Sequence, residues 1–237
     1  MRQPLPPMAL MPSDPSVAII VPVYNGAAYL AAALDSVLAQ EGYRIASVIV
    51  IDDGSTDSSA AIAAAYPAPV RLIRQAHSGA ATARNRGLAA ATEDRIGFLD
   101  ADDLLPPRSV SARMEALDAD SGCDAAIGRV TQFISPDLDA STAAGLQRVE
   151  RTMKALVAGG MLFRRRIFER IGGFDAGFSR GDFIDWYLRA QAAGLVSRQI
   201  DEVVLERRIH GDNLTLRDKA GRKDYLTIVR RHLARQG

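Results

Sequence analysis

The sequence predicts an α/β fold, with a doubly wound, mostly parallel sheet in the first half and an α+β arrangement in the second. Continuous apolar runs occur four times in the first hundred residues, and such runs are typical of strands buried on both faces. Helical patterns separate these runs, so the predicted order is β-α-β-α-β-α-β, which favours parallel strands. After Asp103 the pattern changes to longer strands and shorter helices.

The strands and helices of the first half follow one another closely. The strand runs are “VAIIVPV” (residues 17–23), “SVIVIDD” (47–53), “VRLIRQ” (70–75) and “RIGFLDAD” (95–102). The helical segments between them are “AAYLAAALDSVLAQ” (27–40), “STDSSAAIAAAY” (55–66) and “SGAATARNRGLAAA” (78–91). The last two helices begin near Ser or Thr, which favour N-caps, and Gly42 is a stop signal after the first.

The second half is predicted to alternate helices with strands. Helices are expected at 106–120, 181–194 and 222–236, and long strands at 123–134 and 195–210. A strand that turns into a short helix is expected at 159–174, and a loop without clear period at 135–154. The absence of repeats or low-complexity linkers favours a single domain.

Length and composition agree with one globular domain. The 237 residues are 48% hydrophobic and carry a net charge of +1, which gives no sign of a nucleic-acid partner. The single cysteine, Cys123, excludes an internal disulfide and fits a reducing cytoplasm, and no apolar stretch approaches the roughly 20 residues of a membrane span. We expect a disordered tail at 1–15, one domain at 16–216 with halves 16–104 and 105–216, and a basic amphipathic helix at 217–237.

Acidic and other polar residues follow three of the strands in the first half. In a parallel sheet the carboxyl ends of the strands meet at one edge, where ligands bind. The segments “PVYNG”, “DDGSTD” and “DADD” therefore predict one polar rim, made of Tyr24, Asn25, Asp52, Asp53, Asp57, Asp100, Asp102 and Asp103.

The carboxylates of this rim indicate a metal ion. Carboxylates at close range repel one another unless a cation lies between them. Mg²⁺ and Mn²⁺ are usually bound by one or two carboxylates together with phosphate oxygens of a substrate. The Asp-x-Asp turn therefore predicts a divalent ion that links the protein to a diphosphate. An Asx turn or a helix cap using a single Asp is the alternative for “DADD”, and “DDGSTD” in the same sheet weakens it.

Four motifs resemble those of the family 2 glycosyltransferases with the GT-A fold: “VPVYNG”, “DDGSTD”, “ARNRGL” and “FLDADD”, in this order and at these distances. The similarity is dense from Val17 to Asp103. It continues more loosely to about Leu216 through “GGMLFRR”, “GGFDAGF”, “DWYLRA” and “RRIHGDNLT”. The resemblance implies a mixed, mostly parallel sheet with a Rossmann-like nucleotide-binding half and an α+β acceptor half.

The resemblance also implies nucleotide-binding roles for several residues. Pro22, Val23 and Tyr24 would line the base and the ribose, and an aromatic ring can stack on a base. Asp53 would accept a hydrogen bond from the base, and Arg84 would lie near the base or the phosphates.

The metal ion and its ligands follow from the same resemblance. Asp100 would lie by the ribose, and Asp102 would be the main metal ligand of the Asp-x-Asp motif. His210 would complete the metal shell, and an imidazole ligand suits Mn²⁺ better than Mg²⁺. No function is predicted for the other two histidines, since His77 is expected to shape the turn into the next helix and His232 to lie on a solvated face.

One departure from the family pattern concerns the catalytic base. Members usually carry a Glu-Asp pair at the start of the helix that here contains “GDFIDWYLRA”, and the second acid takes the proton of the acceptor hydroxyl. Phe183 stands at that second position and Asp182 at the first. Asp182 and Asp185 share one helical face, so either could serve, with Asp182 narrowly favoured. A helix N-cap at Asp182 and a surface ion pair at Asp185 are the structural alternative.

The resemblance implies a metal-dependent, inverting glycosyltransferase, and cell-envelope polysaccharide is the expected setting. Its donor would be a nucleotide-diphosphate sugar, with a UDP-sugar favoured, and its acceptor a carbohydrate, a lipid-linked molecule or a peptide. A non-catalytic nucleotide-sugar-binding protein is the alternative, because Phe183 replaces the usual base. A nucleotidyltransferase is disfavoured, since “PVYNGAAYL” contains no lysine or arginine for a phosphate loop.

The C-terminal segment “RKDYLTIVRRHLARQ” predicts a basic amphipathic helix with a narrow apolar stripe. Its arginines could bind an anionic membrane surface, which would place a cytoplasmic protein at the inner face of the membrane. Docking of this helix on its own domain, with solvated arginines, is the favoured alternative.

Overall fold

The computed structural model describes residues 16–138, 156–211 and 221–236. The strands are β1 (Val17–Val23), β2 (Ser47–Asp52), β3 (Val70–Arg74), β4 (Arg95–Phe98), β5 (Ala125–Ile134), β6 (Met161–Arg164) and β7 (Ser197–Ile209). The helices are α1 (Leu30–Leu38), α2 (Ser59–Ala64), α3 (Ala80–Ala90), α4 (Ser109–Asp118), α5 (Arg166–Ile171), α6 (Asp182–Ala192) and α7 (Gly221–Gln236), with a 3₁₀ helix at Ala158–Gly160. The predicted tail and most of the loop predicted at 135–154 lie outside the described residues.

The described strands form one sheet in the order β3-β2-β1-β4-β6-β5-β7. β1 pairs in parallel with β2 and β4, and β2 pairs in parallel with β3. β6 is antiparallel to both of its neighbours, β4 and β5, whereas β5 and β7 are parallel. The prediction of a doubly wound, mostly parallel mixed sheet is confirmed.

Each face of the sheet carries its own hydrophobic core. α1 and α4 pack on one face, where Leu30, Leu34 and Leu117 are fully buried. α3, α5 and α6 cover the other face, where Phe163 and Trp186 are fully buried. The central strands are therefore buried on both sides, which explains why their apolar runs are continuous rather than alternating.

α3 approaches the sheet closely because residue 87 is a glycine. A Cβ atom at Gly87 would lie 2.3 Å from Cγ2 of Ile20 on β1, far inside van der Waals contact. The glycine of “ARNRGL” thus allows the helix that carries Arg84 to lie directly on β1.

α7 docks on its own domain at the start of α6, as the sequence analysis favoured. Its buried residue Ile228 lies against Gly181, where a Cβ atom would be 2.8 Å from Cδ1 of Ile228. The Asp224 carboxylate accepts hydrogen bonds from the backbone N–H groups of Ser179 at 3.1 Å and Arg180 at 3.0 Å. These contacts place the C-terminal helix beside the first turn of α6.

A neighbouring face of α7 is partly open to solvent. Its apolar stripe, made of Tyr225, Leu226, Val229 and Leu233, has side chains that are between 43% and 62% exposed. Across the described ranges, no helix has both the length and the apolar character that crossing a membrane requires.

Candidate functional site

The carboxyl ends of β2, β1 and β4 lie side by side and form the rim of the sheet. Backbone hydrogen bonds continue the pairing past the strands. The N–H of Asp53 donates to the carbonyl oxygen of Val23 at 2.8 Å, and the N–H of Leu99 donates to that of Ile20 at 3.0 Å. The register of the sheet therefore brings the polar residues that follow each strand to one edge.

Part of “DDGSTD” holds the turn between β1 and α1. The N–H of Asn25 donates to Ser55 Oγ, and the N–H of Ala27 donates to Asp57 Oδ2, both at 3.0 Å. Burial raises the pKa of the Asp57 carboxyl, but hydrogen bonds from Ser59 and Ala27 outweigh it and leave the pKa below its usual value. Asp57 is therefore engaged with the backbone of the turn.

Two further rim acids are buried in contacts with the protein. Asp52 accepts a hydrogen bond from Arg74 Nε at 3.0 Å. Asp103 accepts one from the backbone N–H of Arg208, also at 3.0 Å. Burial, followed by the negative charge of Asp102, raises the pKa of the Asp103 carboxyl well above its usual value. Asp52, Asp57 and Asp103 therefore have structural partners within the protein.

The residues predicted to line the base end β1. Pro22 is partly buried, and the side chain of Val23 is buried in the core. Tyr24 is 49% exposed, and its ring stacks on that of His77 with centroids 4.0 Å apart and an interplanar angle of 28°. Tyr24 is thus the residue among these three with an accessible aromatic face.

Asp53 is enclosed by the loop that follows β3. Its Oδ1 accepts hydrogen bonds from Gln75 Nε2 at 2.6 Å and from the N–H of Ser78 at 2.9 Å. Its Oδ2 accepts one from the N–H of Gly79 at 2.8 Å, and His77 Nδ1 lies 2.9 Å from the same oxygen. The Tyr24–His77 stack and the Asp53 carboxylate therefore form one cluster.

Arg84, on α3, joins acids from two other elements. Its Nη1 donates to Asp182 Oδ2 at 2.7 Å, and its Nη2 donates to Asp100 Oδ1 at 2.8 Å. Burial lowers the pKa of the Arg84 guanidinium, but the charges of Asp100 and Asp182 outweigh it and raise the pKa above its usual value. The Asp100 side chain is 51% exposed, so this cluster is buried at Arg84 and open at Asp100.

Asp102 and His210 form the third cluster of the rim. His210 Nε2 lies 3.0 Å from Asp102 Oδ2, and the imidazole packs on the Tyr29 ring with centroids 4.5 Å apart. The Asp102 side chain is 33% exposed. Within the described part of the chain, no group of three or more His, Cys, Asp or Glu side chains could hold a metal ion. An ion at this pair would need further ligands from water or a bound molecule.

The sequence analysis did not single out Arg208 or Tyr29, which support this pair. Arg208 Nε donates to the carbonyl oxygen of Asp102 at 3.0 Å, and its guanidinium lies 4.9 Å from the centroid of the Tyr29 ring. The Tyr29 hydroxyl donates to Asp137 Oδ2 at 2.7 Å. Arg208 stands two residues before His210, and this spacing puts both side chains on one side of an extended chain. The spacing is the feature of the sequence from which the role of Arg208 could have been predicted.

The first turn of α6 separates the two candidate catalytic acids. Asp182 is the first residue of the helix and contacts Arg84 at the rim. Phe183 is buried in the aromatic core. Asp185 is buried as well and accepts a hydrogen bond from Arg189 Nε at 2.8 Å. The structure therefore brings Asp182, and not Asp185, into the Arg84 cluster.

A cleft of about 580 Å³ lies away from the rim, between α3, α5 and α6. Charged side chains that line it bond to one another or to neighbours: Asp185 to Arg189, Arg165 to Glu169, and Asp175 to Arg231. Charges are paired at the rim as well, but the rim also carries the exposed Tyr24 ring and the half-exposed Asp100 carboxylate, and these make it the stronger candidate for binding a ligand.

Comparisons with known proteins agree on one family. Residues 18–172 match the family model described as “Glycosyl transferase family 2”. The succinoglycan biosynthesis protein ExoO of Rhizobium meliloti (strain 1021) is 36% identical over 169 residues, which cover 66% of this chain and 48% of that protein. The uncharacterized glycosyltransferase RT0329 of Rickettsia typhi (strain ATCC VR-144 / Wilmington) is 27% identical over 214 residues, 85% of this chain and 66% of that protein. The chain spans about half the length of ExoO.

Solved structures of S. aureus TarS have a similar fold. TarS 1-349 in complex with UDP-GlcNAc superposes with a TM-score of 0.73 at 17% identity, covering 92% of this chain and 65% of that one. TarS 1-349 in complex with UDP gives a TM-score of 0.65 at 18% identity, with 82% and 60% covered. At this identity the likeness concerns the fold, and it confirms the fold class that the sequence predicts.

Proposed function

Because the chain belongs to glycosyl transferase family 2, we propose that it moves a sugar from a nucleotide-diphosphate sugar to an acceptor hydroxyl, with inversion and with a divalent metal ion. One observation carries this proposal, namely that a single rim of the sheet bears three polar clusters. They are Tyr24 with Asp53, Arg84 with Asp100 and Asp182, and Asp102 with His210.

The first cluster suits a nucleobase. The Tyr24 ring offers a stacking face, and the Asp53 carboxylate can accept a hydrogen bond from a base N–H. Pro22 and the backbone of Val23 would border the base and the ribose. We favour a UDP-sugar as donor, and the fold shared with TarS, whose structures contain UDP or UDP-GlcNAc, supports this choice.

The other two clusters suit the sugar-diphosphate part of the donor. Asp100 would hold the ribose, while Arg84 would place a positive charge near the phosphates. Asp102 and His210 would hold the ion, since their side-chain atoms lie 3.0 Å apart and combine an oxygen with a nitrogen donor. This donor set fits Mn²⁺ and also accommodates Mg²⁺. When bound, the ion would offset the negative charge of the leaving diphosphate.

We assign the proton acceptor to Asp182. In a single displacement, the acceptor oxygen bonds to the anomeric carbon while the bond from that carbon to the diphosphate breaks, and the diphosphate keeps the electron pair. A carboxylate takes the proton of the acceptor hydroxyl. Asp182 lies at the rim beside Arg84, whereas Asp185 is bonded to Arg189 in its own helix. We therefore favour Asp182 over Asp185.

A nucleotide-sugar-binding protein without transferase activity is the second candidate. The observation that favours it is Phe183, which occupies the usual position of the base and is buried in the aromatic core. In addition, Arg84 Nη1 donates a hydrogen bond to Asp182 Oδ2 at 2.7 Å, so the carboxylate would have to accept from the acceptor hydroxyl as well as from Arg84. A donor-hydrolysis assay separates the two candidates. A transferase should hydrolyse the donor as wild type and lose this activity as Asp182→Asn, whereas a binding protein should hydrolyse it in neither form.

We further propose that the protein acts in the cytoplasm, at the inner face of the membrane, on a carbohydrate, lipid-linked or peptide acceptor of the cell envelope. The exposed apolar stripe on α7 supports membrane contact. The sequence of α7 contains five Lys or Arg residues and one Asp, so its charge fits an anionic lipid surface. Because α7 packs on Gly181, such contact would bring the acceptor to the Asp182 end of the rim.

A thermal-shift series tests the proposed donor. UDP, CDP, ADP and GDP are added with Mn²⁺ or with EDTA, and we expect UDP with Mn²⁺ to give the largest rise in Tm, since a ligand of the native state stabilises it. Tyr24→Ala should lose this rise, while Tyr225→Ala, which replaces a tyrosine of similar exposure on α7, should keep it. No rise with any nucleoside diphosphate in either condition would overturn the proposal.

A further inference from the structure

His77 contacts both side chains on which the proposed base site depends. Its imidazole stacks on the Tyr24 ring with centroids 4.0 Å apart. Its Nδ1 lies 2.9 Å from Asp53 Oδ2. The imidazole therefore makes one stacking contact and one polar contact at the place where the proposed function requires a base to make the same two.

The surroundings of His77 identify which ring nitrogen carries a proton. Nδ1 is near Asp53 Oδ2 and also lies 3.1 Å from the carbonyl oxygen of Asp53, and both of these atoms can only accept. Nδ1 must therefore donate its hydrogen. The hydrogen bond goes to the carbonyl oxygen of Asp53, and it holds Nδ1 within 2.9 Å of the Asp53 carboxylate. A flat ring that stacks on an aromatic side chain and places a ring N–H beside a carboxylate imitates a nucleobase with a ring N–H.

The Asp53 carboxylate has little remaining capacity for a base. A carboxylate offers about four acceptor positions. The backbone N–H groups of Ser78 and Gly79 and the side chain of Gln75 use three of them, and the His77 ring stands next to the remaining one, with Nδ1 2.9 Å from Oδ2. A base N–H must therefore displace one of these neighbours, and His77 is the neighbour that also stacks on the Tyr24 ring.

The side chain of His77 can leave this position while its backbone stays in place. Its backbone nitrogen packs against Gly54, where a Cβ atom would lie 2.8 Å away and where φ is +77°. The side chain, in contrast, is 55% exposed. Rotation about χ1 into solvent would uncover both Tyr24 and Asp53 without moving the loop.

We propose that His77 is a displaceable occupant of the nucleobase position and so limits the affinity for the donor. In the donor-free protein the imidazole stacks on Tyr24 and bonds to Asp53, and the incoming base replaces both contacts. The affinity for the nucleotide is then reduced by the fraction of molecules in which His77 still covers the position. This inference rests on the proposed function.

Isothermal titration calorimetry of the whole chain with Mn²⁺ tests the inference, with UDP and inorganic pyrophosphate as probes. We expect His77→Ala to bind UDP about tenfold more tightly than the wild type, which is about 1.4 kcal/mol, because the base no longer displaces a side chain. Pyrophosphate, which has no base, should bind both proteins equally. Ser78→Ala is the matched control, since Ser78 contacts Asp53 through its backbone N–H and its hydroxyl bonds to Ala76.

The outcomes separate this inference from the proposed function. Equal or weaker binding of UDP by His77→Ala would overturn the role of His77 and leave the donor site standing. An equal gain for pyrophosphate would also overturn it, because the effect would not involve the base. Failure of the wild type and of His77→Ala to bind UDP would contradict the proposed function, and this inference with it.

Nuclear magnetic resonance of histidine-labelled protein gives a second test, in which the effect of UDP is measured on the wild type. The chain has three histidines, and His77→Ala identifies the signal of His77. We expect the ring protons of His77 to be shielded by Tyr24 in the free protein and to lose this shielding when UDP is added, but not when pyrophosphate is added. Shielding that persists at saturating UDP would overturn the inference.

Discussion

Asp182 and Asp185 lie one turn apart on α6 and are both buried, yet they belong to two different regions of the molecule. Asp182 bonds to Arg84, which comes from α3, and their contact joins the two halves of the domain at the rim. Asp185 bonds to Arg189 of its own helix, and Arg189 also donates to the carbonyl oxygen of Gly173 at 2.8 Å. Both carboxylates are buried and both lie in the first turn of α6, so these features do not separate them. The arginine that each one contacts does: Asp182 contacts Arg84 at the rim and is the candidate catalytic residue, whereas Asp185 contacts Arg189 in its own helix and is structural.

Substitution of the two carboxylates tests this comparison with the largest expected effect. We expect Asp182→Asn to slow the release of UDP from a UDP-sugar, with water as acceptor, by about 10²–10⁴-fold, the usual contribution of a general base. Asp185→Asn should retain turnover, because an amide oxygen can still accept the hydrogen bond from Arg189. Equal losses in the two variants, or a larger loss in Asp185→Asn, would remove the distinction.

Removal of Arg189 tests the structural side of the comparison. Arg189→Met removes the hydrogen bond and the positive charge that Arg189 gives to the buried Asp185 carboxylate, and we expect the free energy of unfolding in urea to fall by about 3–5 kcal/mol. Arg108→Met, which breaks the exposed ion pair with Glu115, is the control and should change it by less than about 1 kcal/mol. The double variant Asp185→Asn/Arg189→Met should recover part of the loss. If Arg189→Met were as stable as Arg108→Met, the Asp185–Arg189 pair would have no structural role.

The exposed apolar stripe of α7, the helix that packs beside the start of α6, gives a smaller expected effect, on membrane binding. Leu233→Glu on α7 should weaken binding to vesicles that contain anionic lipid by about tenfold, since burial of a leucine contributes about 1.5–3 kcal/mol. Val196→Glu is the matched control, because Val196 is an exposed apolar residue outside α7. Cosedimentation with anionic and with neutral vesicles measures the difference. Absence of binding to anionic vesicles by the wild type would exclude the membrane proposal.

The architecture of the first half could be predicted because each strand carries its own signal. Continuous apolar runs encode burial on both faces, and the four runs correspond to β1 through β4. The position of β6, antiparallel between β4 and β5, could not be predicted. Which strand pairs with which depends on contacts far apart in the chain, and a local pattern of four residues carries no information about its neighbour.

The rim shows the same limit at the level of single side chains. Parallel topology predicts that the acids after β1, β2 and β4 meet, but Asp52, Asp57 and Asp103 are bonded within the protein. A run of acids does not reveal which of them face a backbone N–H or an arginine. The contact of His77 with Asp53 had no signal of its own, since it depends on how the loop after β3 folds over the rim.

The dependence of UDP affinity on Mn²⁺ tests the central claim that Asp102 and His210 hold an ion against the donor diphosphate. Calorimetry with Mn²⁺ and with EDTA should show tighter binding with Mn²⁺ for the wild type and for the control Asp201→Asn, whose side chain is exposed. Asp102→Asn should bind UDP equally in both conditions. The claim is contradicted if Asp102→Asn keeps the full effect of Mn²⁺, or if the wild type shows none.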